Sequence, residues 1–356
     1  VLDDFHFRAA GMTDDQLTGY FLTEDDGHVL RIFPGSERLR YTIPFAPVSE
    51  TIDYCRQVAH AHPGAVLTFG DDGEKFGTWP DTKAHVYDRG WLRMFLTALT
   101  EQSSWLRTVT LADAIRNTSP VGKVYLPDCS YREMTEWSLP HQQQTQYEDV
   151  THDMDGDANW PQLKNFVRGG FWRNFKIKYD EANEMYARMM DVSQRLHEAE
   201  VAGADAADLA IARDHLYRGQ CNCPYWHGAF GGIYLPHLRN AIYHHLIEAD
   251  NILERMLTDV ASPRGLPLTT PTSSSPATAS VADFDFDGMQ EVRLSNESLC
   301  AWISPGRGGR MYELDVRSIS HNLLASMQRR PESYHRKVLA GPSQAGGDVA
   351  SALAIQ

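Results

Sequence analysis

Long apolar runs are missing from this 356-residue chain. No stretch of about 18 apolar residues occurs, so no segment has the length and apolarity of a bilayer-crossing helix. Blocks of Lys or Arg are missing as well, and the net charge is −14. A nucleic-acid binder needs a basic face to displace phosphate counterions, and an anionic membrane surface asks for the same. Neither partner is expected, and a neutral substrate is compatible with this balance. Cysteine is sparse. Cys55, Cys129, Cys221, Cys223 and Cys300 are odd in number and form no framework, which points to reduced thiols in a cytoplasmic setting. Cys221 and Cys223 have no matching His/Cys pair at zinc-finger spacing and read as packing. No signal-peptide pattern opens the chain. It starts at Val1 and runs straight into Val1-Leu2-Asp3-Asp4-Phe5-His6-Phe7. That start reads as an internal strand, so an N-terminal truncation is expected.

What is present is ordinary for a globular protein: 42% hydrophobic and 22% charged residues. The length suits two or three domains. Eight Trp and fifteen Tyr stand out. Large flat side chains build cores, and they also offer surfaces on which sugar rings stack.

Residues 1–140 read as mixed α/β. Ala65-Val66-Leu67-Thr68-Phe69 and Lys123-Val124-Tyr125-Leu126-Pro127 are short β-rich runs, each followed by acid. Gly90 to Thr100 and Leu111 to Asn117 between them look helical, which suggests βα units with parallel strands. Tyr20 to Thr23 and His28 to Phe33 look like an inserted hairpin. Residues 141–258 turn helical. Ala182, Met185, Met189, Val192 and Leu196 make one apolar stripe, with Glu184 and Arg188 as an i,i+4 pair on the wet side. Leu235, Leu238, Ile242, Leu246, Ala249, Leu253 and Met256 make a second, and the two helices are expected to pack in a small bundle. Residues 259–280, with Pro267 to Pro276 at their centre, read as a linker. From 281 to 356 the chain turns β-like. Val292 to Leu294, Leu299 to Ile303 and Met311 to Val316 look like the opening of an antiparallel sandwich, and the last 15 residues look frayed.

The sharpest segment is Phe69-Gly70-Asp71-Asp72-Gly73-Glu74-Lys75-Phe76-Gly77-Thr78-Trp79-Pro80. Two adjacent carboxylates follow an apolar strand, at the end where α/β barrels keep their active sites. Glycosidic cleavage needs a carboxylic acid to protonate the leaving oxygen. Retention of configuration needs a second carboxylate about 5–5.5 Å away. Trp79 supplies a stacking surface in the same loop. By spacing alone the segment reads equally well as a solvated acidic turn with Asp71 as a helix cap.

Gly70 to Trp79 resembles the fourth conserved region of glycoside hydrolase family 57, in the form seen in 4-α-glucanotransferases. Further segments resemble the same family in the same order: Asp3 to Phe7, Tyr125 to Pro127, Glu133 to Pro140, Val167 to Gly170, Tyr225 to Arg239 and Asp283 to Gly288. The resemblance is collinear to about residue 338. It implies an α/β plus all-β fold: part of a (β/α)7 barrel over 1–140, a helical bundle over 141–258, and the start of a C-terminal β-sandwich over 281–356. It also implies a retaining mechanism with Asp72, two residues before Glu74, as the acid/base. Asp71 would hold Asp72 or a sugar hydroxyl, or serve structure alone. The nucleophile of the family is a Glu upstream of Asp4-Phe5-His6, and nothing in residues 1–70 resembles it or the family's His-rich opening motif. A fragment of a working enzyme is therefore expected.

The remaining candidates are substrate contacts. Asp4 and His6 lie on alternate positions of an expected strand end, so they would share a face, and the resemblance places them near the site. Glu136 and Trp137 follow the second strand, where stacking on glucose and core packing are equally open. Trp226 and His227 sit in an aromatic, Gly-rich loop before a helix, suited to close ligand approach. His244 and His245 point about 100° apart on a helix and cannot share one metal. Asp283-x-Asp285-x-Asp287-Gly288-x-x-Glu291 resembles a loop for structural calcium, although the full EF-hand spacing is not met and alternating Phe also suits a strand. No diffusible cofactor is required by acid/base work on an acetal.

The leading expectation is a retaining 4-α-glucanotransferase in starch or glycogen metabolism, with α-1,4-glucans or maltooligosaccharides as donor and acceptor, and with room for a homodimer. An α-amylase-type hydrolase on the same scaffold is the first alternative. A non-catalytic glucan-binding protein is the second, resting on the unmatched nucleophile.

Overall fold

A computed structural model describes residues 1–130, 132–227, 231–258 and 277–336. They form two compact units. The first comprises Val1–Glu136 and Gln146–Trp172; the second comprises Trp137–Thr145 and the described residues from Arg173 onward.

The chain begins with β1 (Leu2–Asp3), α1 (Asp4–Ala9), β2 (Phe21–Asp25), β3 (His28–Ile32), β4 (Pro34–Gly35), α2 (Glu37–Thr42), α3 (Val48–Ala61), α4 (Trp91–Glu101), α5 (Leu111–Asn117) and β5 (Gly122–Lys123). The expected hairpin is β2–β3, antiparallel with Asp25 opposite His28. Two helices also fall where the pattern puts them, α4 and α5. Thr110 caps α5 through its side chain, which accepts from the Asp113 N–H. Parallel pairing is present but short: β1 with β4, β2 with β5, and one bridge between Gly35 and Thr68.

The strands expected over 65–69 and 123–127 are therefore shorter than read. Val66 N–H bonds Thr18 and Thr68 C=O takes the Ser36 N–H, one partner at a time rather than a ladder. In the second run the ladder stops at Lys123, apart from a Val124 bond to Leu22, and Pro127 has no N–H with which to extend it. The segment around Asp4 is also corrected. It opens helix α1 instead of ending a strand, so Asp4 and His6 stand about 200° apart around the axis and share no face.

Phe7, Leu17, Phe21, Ile32 and Val124 form one core cluster of this unit. Leu39, Ile43 and Trp91 form another, against which Leu67 and Phe76 pack. These two apolar side chains bracket Asp71 and Asp72, so burial on both flanks pins the acidic loop.

The chain continues through α6 (Met134–Trp137), α7 (His141–Met154), α8 (Trp160–Leu163), α9 (Phe175–Lys178), α10 (Asp180–Val201), α11 (Ala206–Gly219) and α12 (Pro236–Thr258). Helices α10, α11 and α12 pack together. Asp205 caps α11 by accepting the Ala207 and Asp208 N–H groups. Both apolar stripes face inward: Ala182, Met185, Val192 and Leu196 are buried, as are Ile242, Leu246, Ala249 and Leu253.

Glu184 and Arg188 are not the solvent-side pair expected. Both are buried: Glu184 takes Arg310 of the sheet at 2.7 Å, and Arg188 takes Glu313 of the sheet at 2.8 Å and Asp250 of α12 at 3.1 Å. Helix α10 meets α12 through Arg188 and Asp250, and the sheet strand Arg310–Val316 through Glu184 with Arg310 and Arg188 with Glu313, so both side chains are covered rather than solvent-facing.

The sheet is an antiparallel meander of β6 (Thr278–Ala282), β7 (Glu291–Ser295), β8 (Leu299–Ser304), β9 (Arg310–Val316) and β10 (His321–Asn322), ordered β10-β9-β8-β7-β6. Cys300, Trp302 and Tyr312 are its core. Strand β6 begins inside the expected linker, of which residues 259–276 lie outside the described residues; the expected frayed tail lies outside them too. Residues 283–287 form a loop and not a strand. Phe284 turns edge-on to Trp302 at 4.7 Å, while Phe286 points out. Among the described residues the β region is one sheet. No described helix is long and apolar enough to cross a membrane, and all five cysteines are free thiols.

Candidate active site

In the first unit the paired acids divide into a held one and an open one. The Asp71 side chain is 2% exposed. It takes the Lys75 ammonium at 2.5 Å, lies 3.6 Å from the Arg40 guanidinium and accepts the Asp72 backbone N–H at 2.8 Å. A buried charge persists only when paired in this way. Asp71 is thus no helix cap. Lys75, itself buried, also donates to Arg40 C=O at 2.9 Å and stands 5.5 Å from the ring centres of Phe45 and Trp79. Arg40 gathers Asp3 and Glu133, each at 3.3 Å, and Tyr41 donates to Glu133 at 3.0 Å. Burial, only partly offset by Arg40, raises Asp3 to about 6.

Asp72 is exposed, and no hydrogen bond or ion pair ties its carboxyl down among the described residues. It precedes the tight turn Gly73–Phe76, which Gly77 ends at φ 138°, where a Cβ would come within 3.2 Å of Tyr87. Loss of hydration against the underlying loop raises the Asp72 pKa, and the Asp71 and Glu74 charges add to it; Lys75 and Arg40 pull the other way. Trp79 is half-buried and stacks on Phe45 at 6.1 Å.

Asp4 is buried, bidentate to Arg8 at 2.8 and 3.0 Å, and accepts the Glu37 N–H. His6 is fully buried and accepts the Ser130 N–H at 3.1 Å; burial lowers it to about 4. Glu136 is half-buried on α6.

In the second unit Trp137 and Trp226 stack nearly parallel, 5.7 Å apart, with Phe175 at 6.2 Å from Trp226. His227 is 3% exposed. Its Nδ1 lies 2.7 Å from Gly231 C=O and its Nε2 3.0 Å from the Tyr334 hydroxyl, and burial lowers it to about 4. Gly232 is obligatory: at φ 45°, a Cβ would sit 2.1 Å from Trp226 C=O. Residues 228–230 of this loop lie outside the described residues. His244 is exposed, whereas His245 Nδ1 meets His215 Nδ1 at 3.1 Å between helices.

One carboxylate oxygen from each of Asp283, Asp285 and Asp287 lies within 4.8 Å of the others. Asp285 Oδ1 and Glu291 Oε1 are buried without a hydrogen-bond partner, so the loop has acceptor capacity left for a cation. Arg307, at 3.7 Å from Asp285 and 3.5 Å from Asp287, supplies part of the charge already. Glu291 stands outside the trio and accepts the Phe284 N–H.

Sequence reasoning missed Lys75, Arg40, Glu133 and Glu332. Lys75 had a signal, being i+4 from Asp71. Glu133, 93 residues from Arg40, opens a segment that resembles the family, but Arg40 had no signal. Neither did Glu332, which collects the Tyr179 and Tyr234 hydroxyls at 2.5 and 2.9 Å and Lys178 at 3.3 Å.

Comparison with known proteins follows this layout. Residues 1–127 match glycosyl hydrolase family 57; residues 170–253 and 283–354 match the middle and C-terminal domains of the α-amylase/4-α-glucanotransferase group. The chain is 38% identical to α-amylase 1 of Dictyoglomus thermophilum over 98% of its own length and 47% of that protein. It is 38% identical to the 4-α-glucanotransferase of Thermococcus litoralis over 94% of its length and 46% of that protein. The crystal structure of the Thermococcus litoralis 4-α-glucanotransferase superposes with a TM-score of 0.75 at 37% identity, covering 94% of this chain and 48% of that one. The chain thus spans about half the length of the curated relatives it matches. With all three matches lying in one order along it, the chain belongs to glycosyl hydrolase family 57.

Proposed function

We propose that the protein transfers α-1,4-glucan segments between maltooligosaccharides with retention of configuration, with Asp72 as acid/base. The observation that carries this reading is the split between the two acids. Asp71 is spent on Lys75 and on the Asp72 backbone, while the Asp72 carboxyl is open and holds its proton more firmly than an ordinary aspartate. A general acid needs both access and a retained proton. Asp72 gives its proton to the glycosidic oxygen as the C1–O bond breaks, and the glucosyl unit passes to a nucleophilic carboxylate. The ionised Asp72 then takes the proton of an acceptor 4-hydroxyl as that oxygen attacks C1 and frees the nucleophile. The family resemblance assigns the nucleophile to a Glu with no match in residues 1–70. Trp79, and in the other unit Trp137 and Trp226, are the aromatic surfaces we assign to sugar.

In this reading residues 1–140 contribute to a (β/α)7 barrel, 141–258 form a helical bundle and 281–356 open a β-sandwich. The short parallel pairings of β1 with β4 and β2 with β5 support the first assignment. We also assign structural calcium to Asp283, Asp285 and Asp287, supported by the unsatisfied Asp285 oxygen. Hydrolysis is the second reading, favoured by relatives that carry the name α-amylase. Chromatography of products from maltotriose decides: longer oligosaccharides mean transfer, and glucose with maltose alone means hydrolysis.

A further inference from the structure

The second unit carries two adjoining cavities apart from the acid pair; Asp285 and Asp287, assigned above to calcium, stand at the edge of one of them. The first, of about 500 Å³, is enclosed by the start of α10, the start of α12, β9 and the segment 324–330. The second, of about 420 Å³, runs from α9 past Asn183 to the loop at Asp285, Phe286 and Asp287. Asp180 and Glu184 line both, so the two lie side by side. Each has the size of a small-molecule site.

The wall of the first cavity is polar and balanced. Three carboxylates, Asp180, Glu181 and Glu184, meet three guanidinium groups, Arg239, Arg310 and Arg330. Arg310 holds Glu184 at 2.7 Å and Arg330 holds Glu181 at 2.9 Å. The rim is built in advance, because Glu181 also accepts the Gln328 N–H and Arg239 donates to Ala325 C=O. A net-neutral wall gives an ionic ligand little to gain. It gives a ligand whose every hydroxyl both donates and accepts a partner on either side. Glu184 is buried and held in place by Arg310, so its carboxylate is oriented to accept from a hydroxyl. The second cavity supplies what a sugar ring's apolar face requires. Phe286 is 62% exposed at φ 62°, a backbone state uncommon for a bulky residue, and Ile177 is 81% exposed. Apolar side chains rimmed by polar ones mark ligand grooves.

We propose that the two cavities form one groove that binds a neutral oligosaccharide, a segment of α-1,4-glucan, with Phe286 and Ile177 under its rings and the Glu184–Arg310 pair at its hydroxyls. The choice of glucan rests on the function proposed above; the neutral, polyhydroxylated class rests on the wall itself.

The test is retention of the whole protein in gels containing glycogen, with maltoheptaose as competitor, in an Asp72→Asn background so that no ligand is consumed. Phe286→Ala with Ile177→Ser should cut retention about tenfold, the scale of lost aromatic contacts. Phe286→Trp should keep retention and report maltoheptaose by a change in Trp fluorescence. Unchanged retention in the double variant, or no fluorescence response, overturns the groove. The failure of the function reading is separate: an Asp72→Asn protein with full turnover would sink that reading while the retention result stood.

Discussion

Asp71 accepts the backbone N–H of Asp72 at 2.8 Å, so the first of the paired acids positions the second. Its other oxygen is closed off by Lys75. One carboxylate is thus held on both oxygens and the other is left open.

Asp72→Asn should lower turnover of maltotriose by about 10²- to 10⁴-fold, the usual share of a general acid/base, with an unchanged circular dichroism spectrum. Asp71→Asn removes a charge that raises the Asp72 pKa. The limb of the pH–rate profile where the acid deprotonates should therefore move to lower pH. A limb that moves up, or stays, contradicts the assignment.

Lys75→Met leaves the Asp71 carboxylate buried beside Arg40 alone. Breaking a buried pair costs about 3 kcal/mol or more, so the urea midpoint should fall clearly. Adding Asp71→Asn should restore part of the loss, because no uncompensated charge then remains. A double variant as unstable as Lys75→Met would point to lost packing instead.

His227 sets an acid limit. Its folded pKa, about 4, lies below the ordinary 6.5, so between these values the unfolded chain binds more protons. Stability from the neutral ring is fully present above pH 6.5 and is lost as pH falls toward 4, on the order of 3 kcal/mol in all. The stability gap between wild type and His227→Gln, followed by urea titration at each pH, should narrow over that window. A gap independent of pH would contradict the neutral, buried ring.

Arg188→Met should destabilise by about 3–5 kcal/mol. Arg188 lies between Glu313, Asp250 and Asp315, and burial with the Asp315 charge already pushes Glu313 well above the usual carboxylate range. Adding Glu313→Gln should recover part of this in thermal melts. No recovery would show that the arginine's packing on Trp302, 5.1 Å away, matters more than its charge.

Calcium added to chelator-treated protein should raise the melting temperature, and Asp285→Asn should abolish the rise. An equal rise in the variant would place the ion elsewhere.

Much of the local structure was legible. The α4 and α5 helices, the β2–β3 hairpin, the two helical stripes and strands β7 to β9 follow from periodicity and turn residues, because each depends on neighbours a few positions away. The short reach of Ala65–Phe69 was not legible, since a strand's length depends on what lies beside it. Nor was the turn of Asp4-Phe5-His6 into a helix, where three residues offer less than one period to read. Glu184 and Arg188 misled for a related reason: their i,i+4 spacing suits a wet helix face, and only the sheet opposite makes that face dry.

The order of motifs along the chain determined its family and singled out Asp72, because those motifs are contiguous and need no partner to be recognised. Which acid is held and which is open was decided by folding. Arg40 comes from α2, Lys75 from the turn after the acids, and Glu133 from 93 residues beyond Arg40. Coulomb attraction and shared burial act through space, so such a network exists only once the chain has brought its distant members within a few ångströms.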